Sequence, residues 1–132
     1  MTRRILDTRL AIIAVALCLP ACGSDSGSTM TPSPGTGPVG ATVTITASGS
    51  SPKAVTVNIG EVVMFVNSDT RSHQMASDPH PAHTDCPPIN AVSTLSPGQS
   101  RSTANLTPAR TCGYHDHIDP TNTSLQGTIT IR

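Results

Sequence analysis

The sequence has almost no aromatic residues: no tryptophan, one phenylalanine and one tyrosine among 132 residues. A folded core must therefore consist mostly of valine, isoleucine and leucine, with Phe65 and Tyr114 as its two large anchors. Charged residues are also sparse, at 12% of the chain, and eight basic side chains balance eight acidic ones. Because there is no basic excess and no basic stripe, a nucleic acid is not an expected partner.

Motifs of the common hydrolases are absent as well. The chain has no G-x-S-x-G, no H-E-x-x-H and no carboxylate pair beyond Asp116 and Asp119. The sequence therefore predicts a protein that is not an enzyme. A small histidine–metal oxidase or hydrolase is the competing class, and turnover that depends on His115 would support it.

Residues 1–22 have the pattern of a lipoprotein signal peptide. Arg3 and Arg4 precede an apolar run, Leu10–Leu19, which is too short to span a bilayer. The run ends in Leu-Pro-Ala-Cys22, which resembles a bacterial lipobox and implies that Cys22 carries a lipid. We expect an exported protein in the periplasm or cell envelope, anchored to a membrane by this lipid. An ordinary secretory signal cleaved nearby is the alternative.

Residues 23–40 are rich in glycine, serine, threonine and proline and predict a flexible tether. Residues 41–132 then form one small domain, in which β-branched residues alternate with polar ones. Such alternation, broken by glycine- and proline-containing turns, predicts an all-β sandwich without a substantial helix. The clearest predicted strands are Thr42–Ala47, Val55–Ile59, Val62–Val66 and Gly127–Ile131.

The four cysteines have separate predicted fates. Cys18 leaves with the signal and Cys22 carries the lipid, so that Cys86 and Cys112 are left in the exported domain. An even pair of cysteines in an oxidising compartment predicts a disulfide.

Four segments, in order, resemble the cupredoxins, the superfamily of plastocyanin and azurin. They are Val57–Asn67, Ser72-His73, Leu95–Ser100 and the stretch from Thr111 to Ile131. The resemblance covers nearly the whole domain and implies a Greek-key β-sandwich with a copper site at one end. His73 matches the position of the family's first histidine ligand.

The five histidines fall into two groups, one near residues 73–83 and one at residues 115–117. Neutral imidazole suits copper and zinc, and at equal geometry Cu²⁺ binds more tightly than Zn²⁺. Copper is therefore the predicted cofactor.

Two registers of the last motif compete. In the first, Cys112-x-x-His115 joins His73 in a type 1 blue-copper site, as in an electron carrier. In the second, the alignment of Thr111 and Tyr114 with the family pattern places Asp116 at the position of the ligand cysteine. Strand alternation favours the second register, since Cys112, Tyr114 and Asp116 then share one face. Cys112 is then free to pair with Cys86.

We predict a histidine-rich metal site on a divergent cupredoxin branch with a His-Asp-His motif. The predicted metal ligands are His73, His83, His115 and His117. Asp116 either ligates the metal or holds an imidazole, Met75 is a minor thioether candidate, and His80 is expected to be a solvated loop residue.

The predicted protein is a copper-binding, cupredoxin-like lipoprotein that handles copper or transfers electrons. It is expected to be a monomer that meets a redox or copper-delivery protein. The alternatives are a type 1 electron carrier that uses Cys112 and a metal-free structural sandwich.

Overall fold

The computed structural model describes residues 33–132. The predicted signal peptide, the lipidation site Cys22 and residues 23–32 of the tether lie outside this range. The first strand begins at Val39, two residues before the predicted start of the domain. Within the described part of the chain, no helix is long and apolar enough to cross a membrane.

The described residues contain nine strands and two short 3-10 helices, which are Pro87–Val92 and Thr123–Leu125. The strands are β1 Val39–Thr46, β2 Gly49–Ser51, β3 Ala54–Val57, β4 Val62–Asn67, β5 His73–Ser77, β6 Ser93–Leu95, β7 Ser100–Ser102, β8 Arg110–Asp116 and β9 Gly127–Ile131.

The strands form two sheets, ordered β2-β1-β4-β7 and β3-β9-β8-β5-β6. β1 runs parallel to β4 and β3 runs parallel to β9, whereas the other pairs are antiparallel. The predicted all-β sandwich is confirmed.

The core lies between the two sheets, and in β1, β3 and β9 alternate residues are buried in it. Val43 and Ile45 of β1 are completely buried, as are Phe65 and Tyr114. The two aromatic rings meet edge to face with their centroids 5.2 Å apart. Such a pair adds about 0.5–1.5 kcal/mol beyond the area that it buries. The prediction that these two rings anchor an otherwise aliphatic core is confirmed.

Strand β8 has the alternation that the second register requires. Cys112, Tyr114 and Asp116 are all at most 2% exposed. Cys112 and Tyr114 belong to the apolar core cluster. His115 has the opposite orientation on the strand but is equally buried, at 2% exposure. A loop that follows β5 covers it from outside the sandwich.

The predicted disulfide is present and joins this loop to β8. Cys86 and Cys112 are bonded, with their Cα atoms 5.8 Å apart and a sequence separation of 26. Closing a loop of this length in the unfolded chain stabilises the fold by about 3.5 kcal/mol in the chain-entropy model. Both cysteines are almost fully buried.

Candidate metal centre

Residues 78–86, here called the histidine loop, connect β5 to the first 3-10 helix and carry His80 and His83. The backbone N–H of His83 donates to the carbonyl of Pro79 at 2.8 Å. The side-chain amide of Asn90 donates to the carbonyl of His83 at 3.0 Å. His83 also has a φ of +52°, in the left-handed region that non-glycine residues rarely adopt. These bonds, together with the disulfide at Cys86, fix the position of the loop over β8.

Four imidazoles meet between this loop and the end of β8. We call them the histidine cluster: His80, His83, His115 and His117. Donor atoms of His80, His83 and His117 all lie within 4.8 Å of one another. The closest approach joins Nε2 of His83 to Nδ1 of His117, at 3.1 Å. In five of the six ring pairs, all but His115 with His117, the centroids are 4.7–5.6 Å apart.

His117 joins the cluster because the chain turns at the end of β8. The carboxylate of Asp116 accepts the backbone N–H of Ile118 at 3.1 Å, and the backbone N–H of His117 donates to the carbonyl of Gln74 at 2.7 Å. Strict alternation would place His115 and His117 on one face at two successive levels. With the turn, both approach the rings of His80 and His83.

His115 is the most deeply buried member of the cluster. Its Nδ1 lies 2.6 Å from a carboxylate oxygen of Asp78. Its Nε2 is buried and, among the described residues, has no hydrogen-bond partner. Leaving a buried polar atom unpaired costs about 1–3 kcal/mol. A bound cation at this nitrogen would remove that cost.

Burial lowers the pKa of His83, and the neighbouring rings of His117, His115 and His80 lower it further. The neutral form, which has a lone pair for a metal, is therefore favoured at His83. The imidazole donor set fits copper or zinc.

His73, a predicted ligand, lies elsewhere. Its Nδ1 is 2.8 Å from Asp116 and its Nε2 is 3.0 Å from Asp69, and all three side chains are buried. Both ring nitrogens are thus engaged by carboxylate oxygens. Neither nitrogen is directed at the histidine cluster. The hydrogen bond from His73, more than any other contact, lowers the pKa of Asp69.

The structure thus brings together three of the four predicted ligands, His83, His115 and His117, and does not bring His73 to them. His80, which was expected to be a solvated residue, is exposed but belongs to the cluster. The missed signal was its spacing of three from His83 in a loop that ends at the disulfide cysteine. Asp78, directly before Pro79, was also missed.

Cys112 and Met75, two further candidate ligands, are both buried in the apolar core. The type 1 alternative needs a thiolate at Cys112, but that sulfur is bonded to Cys86, so this interpretation is wrong. Met75 is 1% exposed and packs in the apolar core rather than in the histidine cluster. Asp116 holds the imidazole of His73.

No protein-family model matches the sequence, and no curated protein sequence matches it significantly. Solved structures do match. Oxidised plastocyanin from Dryopteris crassirhizoma is 22% identical with a TM-score of 0.53, and the match covers 69% of this chain and 99% of the plastocyanin. The fold is cupredoxin-like. A purple cupredoxin from Nitrosopumilus maritimus is 16% identical with a TM-score of 0.53, and the match covers 70% of this chain and 99% of that one. An oxidised amicyanin variant, in which alanine replaces one proline, is 18% identical with a TM-score of 0.56, and the match covers 73% of this chain and 83% of amicyanin. In this cupredoxin-like fold, an aspartate stands at the position predicted to align with the ligand cysteine.

The lowered pKa of His83 gives the metal-free protein a pH-dependent stability. Between the lowered folded pKa and the unfolded value near 6.5, the unfolded chain binds more protons. The contribution of neutral His83 to stability is therefore fully present above about pH 6.5, and it is lost as the pH drops towards the folded pKa. We expect the melting temperature of chelator-treated protein to fall between pH 7.5 and 5, and to fall less in His83→Gln. Parallel curves for the two proteins would contradict this assignment.

Proposed function

We propose that the protein binds a copper ion in the histidine cluster and handles copper, by storage or delivery, rather than catalysing a reaction. The observation that carries this proposal is the approach of three imidazole donors, from His80, His83 and His117, to within 4.8 Å of one another. Two of these rings come from the histidine loop and one from the turn after β8, so tertiary structure creates the group.

The donor set supports copper in particular. Imidazole suits both Cu²⁺ and Zn²⁺, and the Irving–Williams order makes Cu²⁺ the more tightly bound ion at equal geometry. One of the structures with a similar fold is an amicyanin variant described as its Cu(I) form. Bound copper would supply a Lewis-acidic, redox-capable centre, while the protein supplies the nitrogen ligands and the loop that carries them.

Storage or delivery fits this site better than fast electron transfer. The thiolate that gives a blue-copper centre its character is absent, because the disulfide consumes Cys112. One of the three donors, His80, is exposed, whereas His83 and His117 are half-buried. An exposed ligand offers a route by which a partner protein can take over the ion by ligand exchange. A copper-delivery partner is therefore part of the proposal.

We also propose that the protein works in the cell envelope, held to a membrane by a lipid on Cys22. The disulfide supports an oxidising compartment. In cell fractionation, wild-type protein should sediment with membranes, and Cys22→Ala should move to the soluble fraction or accumulate unprocessed. Equal recovery of both proteins in the soluble fraction would contradict the anchor.

Copper binding predicts a large thermal shift. At a free Cu²⁺ concentration 100-fold above the Kd, binding stabilises the folded state by about 2.7 kcal/mol, which corresponds to roughly 10–20 °C for a domain of this size. Differential scanning fluorimetry of the exported domain measures it, and the visible spectrum should lack an intense thiolate band. His83→Ala and His117→Ala should each abolish most of the shift.

Asp85→Ala is the matched control, since Asp85 lies in the histidine loop but its carboxylate pairs with Arg110. It should keep the full shift. A shift that survives both histidine variants, or no shift in the wild type, would contradict the proposed site.

A further inference from the structure

We propose that Asp78 is a positioning residue that makes His115 the fourth imidazole of the site, and that Gly113 provides the space for its carboxylate. This inference rests on the proposed function, because it concerns how the same ion is held. It assigns a role to two residues that do not themselves bind the ion.

The contact with Asp78 determines which nitrogen of the His115 ring carries the hydrogen. Its Nδ1 lies 2.6 Å from Asp78, and a carboxylate oxygen can only accept at that nitrogen. The hydrogen on Nδ1 leaves Nε2 of the neutral ring with a free lone pair. That nitrogen is buried and unpaired within the described residues, as a ligand that awaits a cation would be.

The His115 ring lies beside the rings of His80 and His83. Its centroid lies 5.2 Å from that of His83 and 5.5 Å from that of His80. These separations match those between the other members of the histidine cluster. His115 therefore borders the three-imidazole group on its buried side, opposite the solvent that reaches His80.

Backbone hydrogen bonds fix the position of Asp78. Its backbone N–H donates to the carbonyl of Gly113 at 3.1 Å, and its carbonyl accepts the N–H of Asp85 at 2.8 Å. Its carboxylate lies directly against the Cα of Gly113, so that a Cβ added there would overlap it. Any side chain at residue 113 would thus push the carboxylate away from His115.

Carboxylates that orient metal-bound histidines fix the tautomer and raise the basicity of the ligand, and their loss commonly costs 10- to 100-fold in affinity. Asp78 has the geometry for this role, since its carboxylate lies at hydrogen-bond distance from Nδ1 of a buried ring. About half of the Asp78 side chain faces solvent. It also lies in the loop that supplies His80 and His83. One loop thereby supplies two ligands and orients a third.

The test compares wild type with Asp78→Ala, Asp78→Asn and Gly113→Ala. Cu²⁺ affinity is measured by competition with a chelator, and pulsed EPR counts the imidazoles coupled to the copper. ¹⁵N NMR of the metal-free protein reports which nitrogen of His115 carries the hydrogen. Asp85→Ala is the matched control, because Asp85 is in the same loop but pairs with Arg110 at the surface.

We expect four coupled imidazoles in the wild type and three in Asp78→Ala, with affinity reduced 10- to 100-fold. Gly113→Ala, which keeps every ligand and the carboxylate, should behave in the same way. Asp78→Asn retains an accepting oxygen and should keep four imidazoles with a smaller loss. Asp85→Ala should match the wild type. In the metal-free wild type, the hydrogen should reside on Nδ1 of His115.

Wild-type affinity and an unchanged imidazole count in both Asp78→Ala and Gly113→Ala would overturn the role of Asp78, as would three imidazoles in the wild type. Failure of the wild type to bind copper would instead overturn the proposed function. If Asp78→Ala does not fold, Gly113→Ala decides the question, because it removes no contact of the core.

Discussion

The bond between Cys86 and Cys112 is the constraint on which the site depends. It ties the end of the histidine loop to the middle of β8, the strand that carries His115 and leads into His117. Because of this tie, a segment with few apolar residues lies packed on the outer surface of a sheet. The same bond removes the only thiols from the described part of the chain. One covalent link therefore both assembles the imidazoles and excludes a thiolate-based copper centre.

A second polar arrangement occupies the end of the sandwich where the family resemblance predicted copper. There, His73 lies between Asp69 and Asp116, and all three side chains are buried. The backbone N–H groups of Gln74 and Ile118 also donate to Asp116, so its carboxylate ties two segments of chain together. Leaving a buried polar atom without a hydrogen-bond partner costs about 1–3 kcal/mol. This arrangement fills the position with hydrogen bonds, and the donor nitrogens for a metal are found instead outside the sheet.

The sequence was sufficient to predict the fold, the disulfide and three members of the histidine cluster. Period-two alternation placed Cys112, Tyr114 and Asp116 on one face, because this pattern follows from the local geometry of a strand. The pairing of Cys86 with Cys112 followed from the presence of two cysteines in a domain expected in an oxidising compartment. The sequence could not separate His73 from the other histidines, since Asp69 and Asp116 approach that ring from different segments. Nor could it show that His80 joins the cluster, because the path of the histidine loop is set by tertiary contacts with β8 and Asn90.

We expect copper to bind at the histidine cluster and not at His73. A crystal structure of the copper-loaded domain, with anomalous data collected at the copper edge, tests it most directly. One strong peak should lie about 2 Å from imidazole nitrogens of His83 and His117, with His80 and His115 completing the set. The contacts of His73 with Asp69 and Asp116 should remain intact. A peak bonded to His73, or a fully loaded protein without a peak among the four clustered rings, would contradict it.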